Sequence, residues 1–590
     1  QMARDGLRHQ RSQGAGSAIS RPGPQVSYYK LLASKVGMAE KEAGFFERID
    51  SSLPPELARP VAEAVEAFSM NHPEACAPAL ARALEAASRI LPEKLPSIRR
   101  ALEQSLGLTL DARVEPKNPR AGPFASFQPS ETFSLATPGQ TFPVAVTLYG
   151  APAVKTELLV PPGFAVRETG PGRFSVTVPE HPPYTQAYWR RDSVRESSYR
   201  IEDPRRFTRP LPEAPVRARV TYRVGAVEAT IERAVETGFL DTLGVEHRKT
   251  LAVGPPIAVR FSTEAGVLPL GKREYDLACT VRSHVDGKAA GAVRIGLPSG
   301  WRSEPAQAPF AFEKEKEETI LNFRVIAPAG APAAEYKLEA VAAYNGREYR
   351  DSFREVTQPG LSSVYLAAPA VHLLRVADVK VAPGLRAGYV MGTGDQVPEG
   401  LRQLGVPVDL LDRTALESGD LSRYSTILLG IRAYAARDDV KAFNGRLLEY
   451  VRNGGVLIVQ YNTPEYDRNY GPYPYTMGRN PEEVSEEDSP VRILEPSHPV
   501  FTTPNRITLK DFEGWVEQRG SKFWTTWDPR YTALLETHDT GQPPQRGGWL
   551  VAPYGKGLYV YCAYAWYRQL PYAVPGAVRL FANLVSLGAR

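Results

Sequence analysis

Seven residues in the last third of the chain have side chains suited to holding a ligand: Asp395, Arg432, Tyr434, Gln460, Asn462, His498 and Trp515. The first six fall at the ends of short runs read as strands, where open α/β sheets hold their ligands. Planar hydrogen-bonding groups beside the ring faces of Tyr461, Trp515, Trp524 and Trp527 suit a sugar. A plainer reading has Arg432 and Asp395 anchoring loops against the sheet. The loop 392–394 is too short to cradle a phosphate.

Catalysis has fewer candidates. A nucleophile on a sharp strand-to-helix turn requires Cys or Ser, with a histidine to deprotonate it. The two turns of that shape, Gly430-Ile431-Arg432 and Gln460-Tyr461-Asn462, carry neither. Cys562 lies in an alternating stretch and reads as core. The chain has 3 cysteines, Cys76, Cys279 and Cys562, spaced too widely for a zinc knuckle or a disulfide framework. His72-Pro73-Glu74 and His498-Pro499 lack further ligands at metal spacing. The tyrosine-dense residues 466–475 read as a packing lid or protein interface.

These side chains need a scaffold, and the hydrophobic period changes three times along the chain. Over 40–108, apolar residues recur at threes and fours: Phe45, Phe46, Ile49 and Leu53; Leu57, Val61, Val65 and Phe68; Leu80, Leu84 and Leu91; Leu95, Ile98, Leu102 and Leu106. Prolines punctuate these helices. From about 110 the period is two. Val220, Tyr222 and Val224 alternate with charged residues, Gly225 turns the chain, and Val227, Ala229 and Ile231 return. A second alternating stretch follows Pro255-Pro256, with Leu277, Cys279 and Val281, then Val293 and Ile295, then Leu321, Phe323 and Val325. Beyond 370, apolar strands near 387–391, 426–429 and 456–460 alternate with helices, the grammar of a doubly wound α/β domain.

The expected architecture is therefore multi-domain α+β. It comprises a tail segment 1–32, a small helical module 33–110, a β-sandwich 111–254, an immunoglobulin-like β-sandwich 255–360, and an α/β domain 370–590. A length of 590 residues suits several cores. With 71 basic against 66 acidic residues, a net of +5, there is no basic stripe for a nucleic-acid partner. Arg190-Arg191 and Arg205-Arg206 read as solvated faces. No run of about 18 apolar residues predicts a membrane span.

Three stretches resemble large bacterial proteins of the PIG-L/LmbE family, whose zinc enzymes remove the acetyl group from N-acetylglucosaminyl substrates. HQRSQG at 9–14 resembles the end of their catalytic domain. GLPSGW at 296–301 and the P-x-G-x-P run at 328–332 resemble the β-sandwich that accompanies carbohydrate-binding modules of glycosidases. MGTGD at 391–395, GIRAY at 430–434, NGGVLIVQYN at 453–462 and the step Ser497-His498-Pro499 resemble the family's C-terminal part, itself similar to class I glutamine amidotransferases.

The resemblance implies a zinc site built on an A-H-P-D-D-E motif, which is not present in this sequence. His9 would then pack at the edge of that site. The expectation is a non-catalytic accessory region with no cofactor of its own, zinc belonging to an N-terminal catalytic domain outside the 590 residues. A carbohydrate or cell-envelope glycan, that catalytic domain and a second copy in a homo-oligomer are the expected partners. The expected location is secreted, periplasmic or cell-surface. The alternatives are a structural cell-envelope or filament-type assembly protein and a degenerate amidotransferase-like enzyme.

Overall fold

A computed structural model describes residues 53–116, 131–209, 211–240, 245–358, 361–467, 469–478 and 482–589. The HQRSQG segment, His9, and Phe45 to Ile49 lie outside the described residues. The chain is β-rich, built from several sheets with few helices. No described helix is long and apolar enough to cross a membrane.

The helices Pro55–Ala67, Ala77–Ile90 and Leu95–Ser105 each carry proline at the first or second position, where the missing N–H is harmless. Their inner face is mainly alanine and leucine: Ala83, Ala87, Leu57 and Leu102 are fully buried. The stripe predicted on the first helix is only half used. Leu57 is buried, whereas Val65 and Phe68 are 71% and 55% exposed. The helices do not close a core of their own. Leu80, Leu84 and Leu102 belong to one hydrophobic cluster with Val144, Val176, Val220 and Tyr222 of the following β-unit. Arg233 on that unit donates to Glu103 of the last helix at 2.7 Å.

That β-unit sets a six-stranded sheet, centred on Thr109–Val114 and Thr141–Tyr149, beside the three strands Lys155–Leu159, Arg217–Val224 and Val227–Ala234. The hairpin turns at Gly225, whose φ is +60°. Ala218, Val220 and Tyr222 point inward, and on the wet face Arg217 and Arg219 pair with Glu232 while Arg223 pairs with Glu228.

The second β-unit faces a four-stranded sheet (Ile257–Phe261, Glu274–Ser283, Glu318–Ile326, Arg302–Glu304) with a larger one built on Ala265–Pro269, Ala289–Gly296, Gln307–Phe312 and Ala334–Tyr344. The larger sheet also takes Val371–Ala377, parallel to Ala265–Pro269 and antiparallel to Ala334–Tyr344. The expected boundary at 370 therefore falls too early. His372, Leu374 and Val376 alternate inward, so this stretch completes the sandwich before the α/β unit begins.

The C-terminal unit contains the strands β1 (Ala387–Val390), β2 (Val408–Leu410), β3 (Thr426–Leu429), β4 (Val456–Gln460), β5 (Thr532–Ala533), β6 (Trp549–Tyr554) and β7 (Gly557–Cys562). Their order is β2-β1-β3-β4-β7-β6-β5. The first five in that order are parallel, and β6 and β5 extend the sheet antiparallel. Helices α1 (Val397–Gln403) and α2 (Asn444–Arg452) lie in two of the crossovers. Helix α3 (Pro575–Ser586) is buried on almost every side, as its largely apolar sequence requires. The strand order reverses between β1 and β3, and such a switch point is where open parallel sheets form a crevice.

Candidate functional site

The loops at that switch point are built from the ends of β1 and β3, and they are zipped together. Gly430 N donates to Val390 O at 2.8 Å, and Thr393 N donates to Ile431 O at 3.1 Å. A Cβ on Gly392 would stand 2.0 Å from Ile431 O, so only glycine permits this approach. Main chain thus fills the base of the crevice.

Asp395 is an internal strut. Tyr389 Oη donates to both its carboxylate oxygens at 2.7 Å, and Val397 N donates at 3.0 Å. Burial raises the Asp395 carboxyl above its ordinary range, against the lowering effect of these hydrogen bonds. Gln460 extends the strut, its Nε2 donating to Tyr389 Oη at 2.9 Å. Asn462 folds back to donate to Gln460 O at 2.9 Å and accepts from Tyr434 N at 3.1 Å. Tyr434 Oη donates to Asn444 Oδ1 at 2.6 Å. Gln460, Asn462 and Tyr434 are all buried, so the structure gathers these residues as loop anchors rather than as a ligand-facing surface.

Trp515 and His498 go elsewhere. Trp515 is 1% exposed, donates to Asp511 O, and packs against Phe512, Tyr564 and Trp566. His498 precedes the short helix Pro499–Thr502, and its Nδ1 accepts from Val500 N at 3.2 Å. Asn583 of α3 holds that helix by donating to Val500 O. Trp524 is likewise fully buried, while Tyr461 and Trp527 are half-buried.

Arg432 is the exception. It follows β3, begins the helical turn Ala433–Ala436, and is left-handed at φ 55° and ψ 30°. Its side chain is exposed. This is the backbone shape of a nucleophile elbow, with a guanidinium where a nucleophile would stand. A Cβ at positive φ is strained by about 1 kcal/mol. Arg432→Gly is therefore expected to be more stable than Arg432→Ala by about 1 kcal/mol, read from denaturant midpoints. Equal midpoints would mean that the turn relaxes and holds no strain.

Cys562 cannot replace the missing nucleophile. It is fully buried, accepts from Trp566 Nε1 at 3.3 Å, and burial pushes its thiol well above the usual range. Among the described residues no three of His, Cys, Asp and Glu converge as a metal site.

The large open cavity lies outside the predicted set. A cleft of about 2390 Å³ runs between the first β-unit, the second sandwich and the α/β unit. Its outer wall belongs to the connection between Arg173–Thr177 and Arg217–Val224, whose regular structure among the described residues is limited to the short pair Trp189–Arg190 with Arg200–Ile201 and one helical turn. This strap is tied down along its first half. Thr185 N donates to Val253 O and Ala187 N to Tyr365 O, while Arg195 Nη2 donates to Gly514 O of the α/β unit at 2.8 Å. Arg190 and Arg206, expected to lie on solvated faces, line the cleft, paired with Glu202 and Asp203. The sequence did carry a signal. An aperiodic connection this long, dense in Arg, Tyr and Trp, is more often functional than a plain loop.

No family model matches the chain, and no curated protein matches it. Solved structures are similar over parts of it. A β-galactosidase from Rahnella sp. R3 is 15% identical over 34% of this chain and 30% of its own, with a TM-score of 0.23. WR4, an MSP family member of C. elegans, is 15% identical over 21% of this chain and 98% of its own, with a TM-score of 0.13. The periplasmic chaperone SfaE is 14% identical over 21% of this chain and 61% of its own, with a TM-score of 0.13.

Proposed function

We propose that this chain is a non-catalytic region of a PIG-L-type sugar deacetylase, serving glycan or partner binding and assembly at or outside the cell surface. In this reading the second sandwich is of the immunoglobulin-like, carbohydrate-module type, and the C-terminal unit is a degenerate class I amidotransferase-like domain. The observation that carries it is the occupant of the elbow. Arg432 holds the left-handed position after β3, and a guanidinium stays protonated and cannot attack a carbonyl. The strand order β2-β1-β3-β4-β7 and the closed crevice beside the elbow support the same reading.

The intact mass and zinc content of the native protein test it. The expected result is a polypeptide longer than 590 residues by a domain of about 250, with zinc bound in that added domain. A native species of 590 residues that binds no zinc would remove the deacetylase context.

A further inference from the structure

The strap gives the cleft its chemistry. Trp189 and Tyr188 are half-buried on its wall, and their rings meet edge to face at 4.8 Å. Tyr188 Oη donates to Arg209 O, which fixes the ring. Rigid, half-exposed aromatic faces of this kind stack on sugar rings at little entropic cost.

The opposite wall comes from the second sandwich. Arg260, on Ile257–Phe261, and Arg354, on Asp351–Val356, both line the cleft from strands that pack together. Both are exposed, and among the described residues neither has an ion-pair partner. Most other arginines of the cleft are engaged. Arg190, Arg206, Arg217 and Arg375 pair with carboxylates. The cleft also carries the carboxylates Glu264 and Glu513, and Glu264 acts electrostatically on Tyr572 of the α/β wall. Arg191 and Arg195 of the strap are spent on main-chain oxygens, of Glu196 and Gly514, so among the described residues the guanidiniums with no partner are those of the sandwich wall. Free guanidiniums favour planar anions, which they hold in bidentate fashion. The volume, about 2390 Å³, exceeds the roughly 300–1000 Å³ of small-molecule sites and suits a length of polymer.

We propose that this cleft binds a stretch of acidic oligosaccharide, with Arg260 and Arg354 receiving uronate carboxylates and Trp189 and Tyr188 stacking on the sugar rings. The proposal rests on the glycan-binding reading above and narrows it to a charge class and a place.

Titration calorimetry of the full chain tests it with three probes: a hexagalacturonate, a neutral N-acetylglucosamine hexamer, and a glutamate hexapeptide. The hexagalacturonate is expected to bind, with the peptide at least about tenfold weaker because it offers no ring to stack. Arg260→Ala combined with Arg354→Ala is expected to weaken the uronate at least about tenfold. Both side chains are exposed, so an unchanged melting curve accompanies that loss. Trp189→Ala is expected to weaken the uronate while leaving the melting curve in place. Uronate binding that survives the double substitution overturns the proposal, as does peptide binding of equal strength. Binding of the neutral hexamer alone overturns the acidic ligand but leaves the glycan reading standing. Binding of neither sugar overturns both.

Discussion

Acidification from pH 7 to pH 5 is expected to lower the stability of the second sandwich by about 2 kcal/mol for each of two buried histidines, His284 and His372. Both are nearly or completely buried, at 7% and 0% exposure. His284 Nδ1 lies 2.9 Å from Pro255 O, and His372 Nδ1 lies 2.8 Å from Thr263 O. A carbonyl only accepts, so each Nδ1 carries the proton and each ring is held neutral with Nε2 bare. Among the described residues His372 Nε2 has no partner, and the ring packs between Phe261 and Tyr275. His284 packs edge-on to Phe353. A second proton would place a charge inside this core. Burial accordingly lowers both imidazoles from 6.5 to about 4, against a smaller raising effect of the carbonyl bonds.

The sign follows from proton binding. Below pH 6.5 the unfolded chain takes up protons that the folded chain refuses until about pH 4, so stability falls across that window and levels off beneath it. Buried carboxylates with raised pKa work in the opposite direction: Glu315 and Asp351 gain protons more readily folded than unfolded. The histidine contribution is isolated by His284→Asn and His372→Asn, whose amide can still donate to the same carbonyl. Each variant is expected to be less stable at pH 7 and to show a shallower loss between pH 6.5 and 4. A loss as steep as in the parent chain would show that the histidines are not its source.

The contrast between the two halves of the fold explains what could be read from the residues. The runs Ala387–Val390, Thr426–Leu429 and Val456–Gln460 are short, apolar and bounded by glycine or polar residues, and each is a strand buried on both faces. The hairpin at Gly225 was equally plain, because alternation fixes which face is wet. Val371–Ala377 was misplaced because it follows Pro369 and resembles the start of a new unit. Of its partners, Ala265–Pro269 is distant and unmarked in the sequence, while Ala334–Tyr344 alternates plainly through Leu338, Ala340, Ala342 and Tyr344 without marking which strand it pairs with.

The strand-end rule located Gln460 and Asn462 correctly along the chain, but position at a strand end does not set which way a side chain turns. Tyr389 reaches up from β1 and draws Gln460 inward, and Asn462 bonds back to Gln460 O. The cleft was invisible for a different reason. Tyr188, Arg260, Arg354 and Tyr572 come from three units, and only folding brings them to one cavity. Arg432 needed both sources. Its residue type excluded a nucleophile, and its left-handed backbone identifies the turn as an elbow.

Trp524→Ala is expected to destabilise the α/β unit by about 3–5 kcal/mol and to release the tyrosine-rich segment that covers it. Trp524 is completely buried. The ring of Tyr475 stacks on it at 3.8 Å and 8°, Tyr561 at 4.5 Å and 23°, and Tyr531 meets it edge-on at 5.1 Å. Tyr466 joins the same cluster, where its hydroxyl bonds that of Tyr559 on β7. Truncation therefore removes both the buried area of an indole and several ring contacts, each worth about 0.5–1.5 kcal/mol beyond area. Trp524→Phe retains one ring in the stack and is expected to cost less than half as much.

The consequence for motion separates two roles for this tryptophan. If Trp524 anchors a lid, amide exchange at Tyr473 and Tyr475 accelerates in Trp524→Ala beyond the change in global stability, because the lid loses its own contacts first. Affinity for a glycan at the distant cleft stays unchanged in whatever fraction remains folded. If Trp524 were instead a sugar platform, as its residue type alone allows, affinity would fall while exchange at Tyr473 and Tyr475 stayed slow. Complete burial beneath Tyr475 leaves no ring face for a sugar, so the first pattern is the expected one.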